Sequence, residues 1–513
     1  MTQAARRRLV MIVDNHVDGD SRVQKMAESC AAADFDVTLV GRSRDTQRHT
    51  WKIGEADVVL LPAPLNLLAY KATHPGRSLR WPLAYADKEA DVHASIQNRQ
   101  RKAVQAERVA TLKLASKAGN ASIWARAQTK FATLMTQGRH GLYALRHRQY
   151  GTANAHRKTE SSALDRSRAR VTCLVRGDTA WRTLDPTLVD FELGMAPYIE
   201  QLKPDLIHAH DFRMVGIGVR AAERRRSIGK ECRVVYDAHE YMPGVHARNL
   251  SWRLANEQHE SVYAPRADAV VTVSGELATM LKDRHKLAAL PTIVLNAPPA
   301  AEPLVTTHNG IRNSCGISDQ TPLMVYIGSP APQRGLMTIV ESLPHLDTLH
   351  AALVLPPSTP LAEPLKERAA ELGVTDRLHV LPYVPAAEVV SYIREATLGV
   401  IPIHHQLNHE ISLITKYFDY VHAGLPIVVS DVREMSRTTA ELGNGEIFTA
   451  ESTEGFVEAV RKVLVDPDRY SAVYTPELRH SWSWEAQAER LISLYDALVP
   501  PKVHTEMEET SSH

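Results

Sequence analysis

The strongest constraint on the fold of this 513-residue chain is a recurrence of short apolar runs, each separated from the next by a helical pattern. One series comprises residues 9–13, 37–40, 206–208, 234–236 and 269–273, and a second comprises residues 324–327, 352–355, 378–381, 399–403 and 427–429. Runs this short and this continuously apolar are strands of a sheet covered on both faces. Between them, apolar residues take helical spacing, as in Val23, Met26, Ala27 and Cys30, so strand, helix and parallel strand alternate. The two series are separated by Pro298, Pro299 and a polar stretch reaching Asn313, a composition suited to an interdomain connection. Length requires the same division, because single cores stop growing at about 250–300 residues. The predicted class is α/β: two doubly wound, Rossmann-like domains, 1–300 and 310–480, facing a cleft. Residues 481–498 are expected as a helix, and 500–513 as a disordered polar tail.

The first domain holds more sequence than a crossover requires. From about 80 to 185 it is read as a helical basic insertion. Between Gln97 and Arg170 there are 16 Lys or Arg against Glu107, Glu160 and Asp165, although the whole chain carries a net charge of only +1. Trp124, Ala127, Phe131, Leu134, Met135, Leu142 and Leu145 fall on one helical stripe accompanied by Arg126, Lys130, Arg139 and Arg146. Two readings stand: an interfacial helix on an anionic membrane surface, or a stripe packed on the protein's own core. Nucleic acid is not the expected partner, since no recognition module accompanies the charge. The cysteines, Cys30, Cys173, Cys232 and Cys315, lie far apart and form neither a metal-binding pair nor a disulfide ladder. No run approaches the roughly 18 apolar residues of a membrane span. The expected location is the cytoplasm, with peripheral attachment to the inner face of the membrane through the insertion.

Polar groups collect where strands end. His208, His210 and Asp211 follow one strand, and Asp237, His239 and Glu240 follow the next. Taken alone, such groups often only satisfy strand-end backbone. After the first strand, Asp20 or Ser21 is placed to cap a helix whose free amides suit an anion. In the second half, Lys416 and Asp419 share a helix face, where a surface salt bridge is the plain reading. Gly424 suits a left-handed helix end, and residues 427–429 form the next strand.

The segment containing Thr415, Lys416, Phe418, Asp419, Tyr420, Gly424, Leu425, Pro426 and Val429 resembles the donor-binding segment of family 4 glycosyltransferases of the GT-B fold. Gly328, Ser329, Arg334 and Gly335 resemble the same family's phosphate loop, with Arg334 matching its Lys and Ser329 standing where an Arg is usual. The resemblance covers about residues 9–45 and 195–498, implies that the helix 481–498 crosses back to the first domain, and omits the insertion. It implies transfer of a sugar from a nucleoside-diphosphate sugar to an acceptor hydroxyl, with retention and without a metal or other cofactor. The partners it implies are that nucleotide sugar and an acceptor glycan, lipid or small molecule, with a cell-envelope glycan or lipid-linked acceptor in view. By the same resemblance, His239, Arg334 and Glu410 are catalytic. Gly328, Ser329, Arg334, Gly335, Glu410, Lys416 and Asp419 bind the donor, and Asp20, Ser21, Arg22, His210, Asp211 and His239 lie on the acceptor side. Of the family's pair of glutamates, Asp419 takes the second place. Ile411 stands at the first, with Glu410 adjacent. Because of Ser329, Ile411 and Asp419, a catalytically inactive GT-B binding or scaffold protein is the alternative, together with a sugar-nucleotide epimerase of the same fold.

Overall fold

The computed structural model of the protein describes residues 6–63, 65–73, 81–120, 122–159, 163–300, 309–356 and 360–501. The expected tail lies outside these residues beyond Pro501. The chain forms two compact units, residues 1–62, 195–245 and 260–513 in one, and residues 63–194 and 246–259 in the other.

The first unit contains two sheets. Strands β1 (Arg7–Ile12), β2 (Phe35–Arg42), β3 (His49–Ile53), β4 (Ala56–Leu61), β5 (Leu206–His210), β6 (Arg233–Ala238), β7 (Ala269–Thr272) and β8 (Thr292–Ile293) form the first, in the order β3-β4-β2-β1-β5-β6-β7-β8. Strands β9 (Leu323–Ile327), β10 (His350–Val354), β11 (Leu378–Leu381), β12 (Leu398–Ile401), β13 (Ile427–Ser430) and β14 (Gly445–Phe448) form the second, in the order β11-β10-β9-β12-β13-β14. All pairings are parallel except β3 with β4. The continuous apolar runs have the cause expected of them. In β9, Met324 and Tyr326 enter one core while Leu323, Val325 and Ile327 enter the core on the opposite face, so the period of two is hidden by burial on both sides.

Strand order reverses at two places, between β1 and β5 and between β9 and β12. Crossovers leave in opposite directions there, and a crevice opens beyond the carboxyl ends of the strands. His210 ends β5, and the other candidate site residues lie in the loops and helices that follow β1, β5, β6, β9 and β12.

The helix Trp484–Leu498 packs on the first sheet, where Trp484, Ala488, Leu491 and Tyr495 join Leu9, Met11, Val37 and Leu39 in one core. Tyr495 meets Phe35 edge-on at 5.7 Å, and Arg7 Nη1 reaches Asp496 at 2.6 Å. In the second unit the helices Lys88–Lys117 and Ile123–Thr159 pack antiparallel, pairing Asp91 with His147 and Asn98 with His140. No helix among the described residues is long and apolar enough to cross a membrane.

Candidate active site

β9 ends in a turn that only glycine permits at its far side. Gly335 has φ +70°, and a β-carbon there would lie 1.7 Å from the carbonyl oxygen of Pro402, just past β12. Gly335→Ala must therefore move backbone as well as occupy a left-handed conformation. It is expected to lower Tm by roughly 4–8 °C in a thermal melt and to weaken nucleotide binding. Gly138→Ala, a helix-interior change with open space around it, is the control and should leave Tm the same or slightly higher.

The turn holds Arg334 half-buried, with no hydrogen-bond or ion-pair partner among the described residues. Gly328 (φ +114°) and Ser329 are exposed beside it, and the Ser329 carbonyl accepts a hydrogen bond from the Tyr326 hydroxyl at 3.1 Å. Lys416 enters the same pocket from the first turn of the helix Thr415–Ala423 and is only 9% exposed. Its ammonium sits 3.7 Å from the centroid of the Tyr326 ring and 3.5 Å from where a Gly328 β-carbon would be. Burial, then the nearby Arg334 charge, pushes the Lys416 pKa well below the usual lysine range, with Asp419 opposing. Although Lys416 and Asp419 share a helix face, they form no ion pair; the ring of Tyr326 takes the ammonium instead. Two basic side chains thus lie near one another past the end of β9, and among the described residues neither is ion-paired with a carboxylate.

Asp419 turns toward the first sheet. Burial pushes its pKa up to about 7, against the pull of Lys25 and Lys416. Lys25, from the helix Ser21–Ala32, is pushed down to about 8 by burial, with Asp419 acting against the fall. It donates to Asn296 Oδ1 at 3.2 Å and to the Ala297 carbonyl at 2.5 Å. Asn296 in turn donates to Thr415 Oγ1 at 3.0 Å. Sequence reasoning missed Lys25, because its only signal is a helical position shared with many surface lysines.

Glu410 closes the short helix Leu407–Glu410. Its Oε1 is 2.6 Å from His405 Nδ1, and its Oε2 accepts from the Arg433 amide at 2.8 Å. The other ring nitrogen of His405 lies 3.0 Å from Asp431 Oδ1. The Glu410 hydrogen bond raises the pKa of His405, with a smaller opposing effect of desolvation. Ile411 is fully buried, and its carbonyl accepts from Ser274 Oγ at 2.6 Å. Of the two adjacent positions, only Glu410 offers a carboxylate. His405, absent from the sequence expectations, is the residue that orients it.

On the first-sheet side a buried ion network lies at the ends of β5 and β6. Arg22 donates from Nε and Nη2 to the two oxygens of Asp237 at 3.0 and 2.9 Å, and from Nη1 to the Val294 carbonyl at 2.8 Å. Arg22 was expected to face an acceptor. It points inward instead, because the fully buried Asp237 needs a cation more than the cleft does. Burial works against the Asp237 charge, but Arg22 and then His239 outweigh it and hold its pKa well below the carboxylate range. His239 has both ring nitrogens engaged, Nε2 at 2.9 Å from Asp237 and Nδ1 at 3.3 Å from Asp211. Burial opposes its charge, yet Asp211 and Asp237 raise its pKa to about 9. His239 is therefore an imidazolium held between carboxylates, with no free nitrogen to take a proton. His210, fully buried behind it and stacked on His208, is pushed down to about 3 by burial. His208 shares a hydrogen bond with the Tyr495 hydroxyl, which ties the final helix to this network.

Asp211 is the member that reaches the cleft. It opens the helix Asp211–Ser227 with φ +66°, and burial pushes its pKa up to about 7, with His239 pulling it down. Asp20 is the N-cap of the helix Ser21–Ala32, accepting from Val23 N at 3.3 Å and from Asn15 Nδ2 at 2.7 Å. Ser21 is its half-buried first residue. In the preceding loop nothing lies within 4 Å of a β-carbon built at Gly19.

Residues 321–466 match the family model of glycosyl transferases group 1, and residues 157–297 match that of glycosyltransferase family 4, together more than half of the chain. The chain belongs to these glycosyltransferases. Its curated relatives include a D-inositol 3-phosphate glycosyltransferase of Thermobispora bispora, 24% identical over 197 residues, which are 36% of this chain and 45% of that protein. Another is the GDP-mannose-dependent alpha-(1-6)-phosphatidylinositol monomannoside mannosyltransferase of Mycolicibacterium smegmatis, 23% identical over 58% of this chain and 80% of that protein. The chain thus spans about half the length of the first of these and four-fifths of the second. Among solved structures, sucrose-phosphate synthase from Thermosynechococcus elongatus superposes with a TM-score of 0.61 at 14% identity, covering 96% of this chain and 99% of that one. That likeness establishes the GT-B fold for this chain. The family matches leave the helix Lys88–Lys117, and Ile123–Thr159 up to its last turn, unmatched.

Proposed function

We propose that this glycosyltransferase moves a sugar from a nucleoside-diphosphate sugar to an acceptor hydroxyl, with retention of anomeric configuration. The observation that carries the reading is the pair Arg334 and Lys416, two basic side chains near one another past the end of β9 that form no ion pair with a carboxylate among the described residues, with Lys416 poised to take up a proton when a diphosphate arrives. As the glycosidic bond breaks, its electron pair goes to the diphosphate oxygen, and preorganised cations are worth most where that charge grows. Gly328 and Gly335 let backbone approach the phosphates, and Asp211 lies on the acceptor side.

Retention is supported by the state of the carboxylates. Asp237 is paired with Arg22, Asp211 with His239, Glu410 with His405 and Asp14 with Arg213. Ion pairing disfavours these four as a base on the face opposite the leaving group. The departing diphosphate oxygen is then the base that accepts the acceptor's hydroxyl proton, and attack comes from the face it leaves. In this reading Glu410 and Asp419 orient the donor rather than exchange protons.

The relatives' names direct the acceptor search to inositol phosphates and lipid-linked inositol glycans, with envelope glycans as the wider class. The test is release of nucleoside diphosphate from UDP-, GDP-, ADP- and TDP-sugars with and without D-inositol 3-phosphate, followed by NMR of the product anomer. Acceptor-dependent release with the donor's anomeric configuration supports the proposal. Nucleotide binding without turnover would favour the inactive scaffold, and acceptor-independent conversion of the sugar would favour an epimerase.

A further inference from the structure

The helical hairpin of the second unit is built inside out. Its buried seam is polar: Asp91, Asn98 and Gln105 recur every seventh residue along Lys88–Lys117 and are buried. Asp91 meets His147 at 2.8 Å, Asn98 meets His140 at 3.2 Å, and Gln105 donates to Thr133 Oγ1 at 2.7 Å. The opposite side of Ile123–Thr159 is apolar and faces out. Trp124 is 79% exposed, Phe131 68% and Leu134 67%, and Met135, Leu142 and Leu145 continue the same stripe, all exposed. Single exposed apolar residues need no explanation. A continuous stripe led by two large aromatics marks a surface that is covered in use.

The charges beside the stripe choose the cover. Arg126, Lys130, Arg139 and Arg148 are exposed along this helix, which carries no Asp or Glu from Ile123 to Thr159. Arg146, counted with them from sequence, is instead bound to the Leu83 carbonyl and stacked over Tyr85. Aromatics embedded at a water boundary, with cations at their flanks, match an anionic lipid interface, where rings sit among the headgroups and ammonium or guanidinium groups meet phosphates. We propose that Ile123–Thr159 is an interfacial anchor that lays its outer face into an anionic bilayer surface without crossing it. The polar seam follows from this: when the outer face is committed to lipid, hydrogen bonds join the two helices along the seam, while an apolar cluster of Tyr85, Ala90, Ala94, Tyr143, Tyr150 and Ala153 packs at one end. The inference does not depend on the proposed transfer reaction, since the helix is almost wholly outside the family matches and its test needs no substrate.

The test is flotation of the full chain with vesicles of phosphatidylcholine alone or phosphatidylcholine with 30% phosphatidylglycerol (about one anionic lipid in three, enough for a strong surface potential). Binding to the anionic vesicles only, weakened by salt, is expected. Charge reversal in Lys130→Glu/Arg139→Glu/Arg148→Glu should lower the partition coefficient by at least about 100-fold. Trp124→Ser/Phe131→Ser/Leu134→Ser should abolish flotation while Tm is unchanged, because these side chains are exposed. Absence of vesicle binding by the unaltered chain would overturn the proposal, as would binding that survives the apolar substitutions. So would a dimer in solution that those same substitutions dissolve, which would make a second copy the cover.

Discussion

Arg334→Ala is expected to lower turnover by about 10²–10³-fold, the usual effect of removing one preorganised donor to a developing anion, while leaving Tm nearly unchanged. Among the described residues the Arg334 guanidinium holds no partner, so its loss orphans no carboxylate and breaks no packing of consequence. Lys416→Met should give a different pattern. The buried ammonium is costly in the unliganded protein, as its depressed pKa records, and an apolar side chain of similar length relieves that cost. Tm should therefore hold or rise while nucleotide affinity falls by about 10–100-fold, the loss of one charge-assisted contact to phosphate. The double variant should fall short of the product of the two effects, because both cations act on the same phosphates. Thermal melts and single-turnover kinetics on the same preparations read both quantities.

The Arg22–Asp237 pair should dominate stability. Arg22→Met leaves a fully buried carboxylate without its cation, which costs about 3–5 kcal/mol and should lower Tm by about 10 °C. Activity would also fall, because Asp237 positions His239 and through it Asp211. The network has a pH signature. Asp237 has a depressed pKa, so its contribution is present above its unfolded value of 3.8 and is lost as pH falls through the folded one. His239 has a raised pKa, so its contribution is complete below its unfolded value of 6.5 and is lost as pH rises through about 9. Stability should therefore decline between pH 6.5 and 9 in the unaltered chain. In His239→Gln the decline over that window should flatten, as measured by denaturant midpoints at each pH.

Ten of the parallel strands were legible because burial on both faces leaves unbroken apolar runs, whereas β4 and the two-residue β8 were passed over. β3 was not legible: His49, Thr50 and Lys52 are exposed or half-exposed on a sheet edge, and its antiparallel pairing turns on Gly54 at φ +55°. β14 was not legible for a similar reason, since Gly445 and Glu446 give an edge strand little apolar content. Around the site, the family resemblance found the cations of the second sheet but not their surroundings. The sequence places Lys416 and Asp419 on one helix face, yet nothing local reveals that Tyr326 and Lys25, from other elements, separate them. Likewise Asp237 and Arg22 are 215 residues apart, so the inward turn of Arg22 exists only in the folded chain. The stripe on Ile123–Thr159 was visible as a period, but periodicity alone does not say which side of a helix faces its neighbour. The polar partners Asn98, Gln105, Thr133 and His140 decide that.

Calorimetric titration of UDP and GDP near pH 8, in two buffers of different ionisation enthalpy, tests the donor pocket most directly. A diphosphate placed between Arg334 and Lys416 must raise the depressed lysine pKa. At least one nucleotide should then bind with net proton uptake, and that uptake should vanish in Lys416→Met. Binding of neither nucleotide, or a proton uptake that Lys416→Met leaves unchanged, would place the diphosphate elsewhere and contradict the assignment.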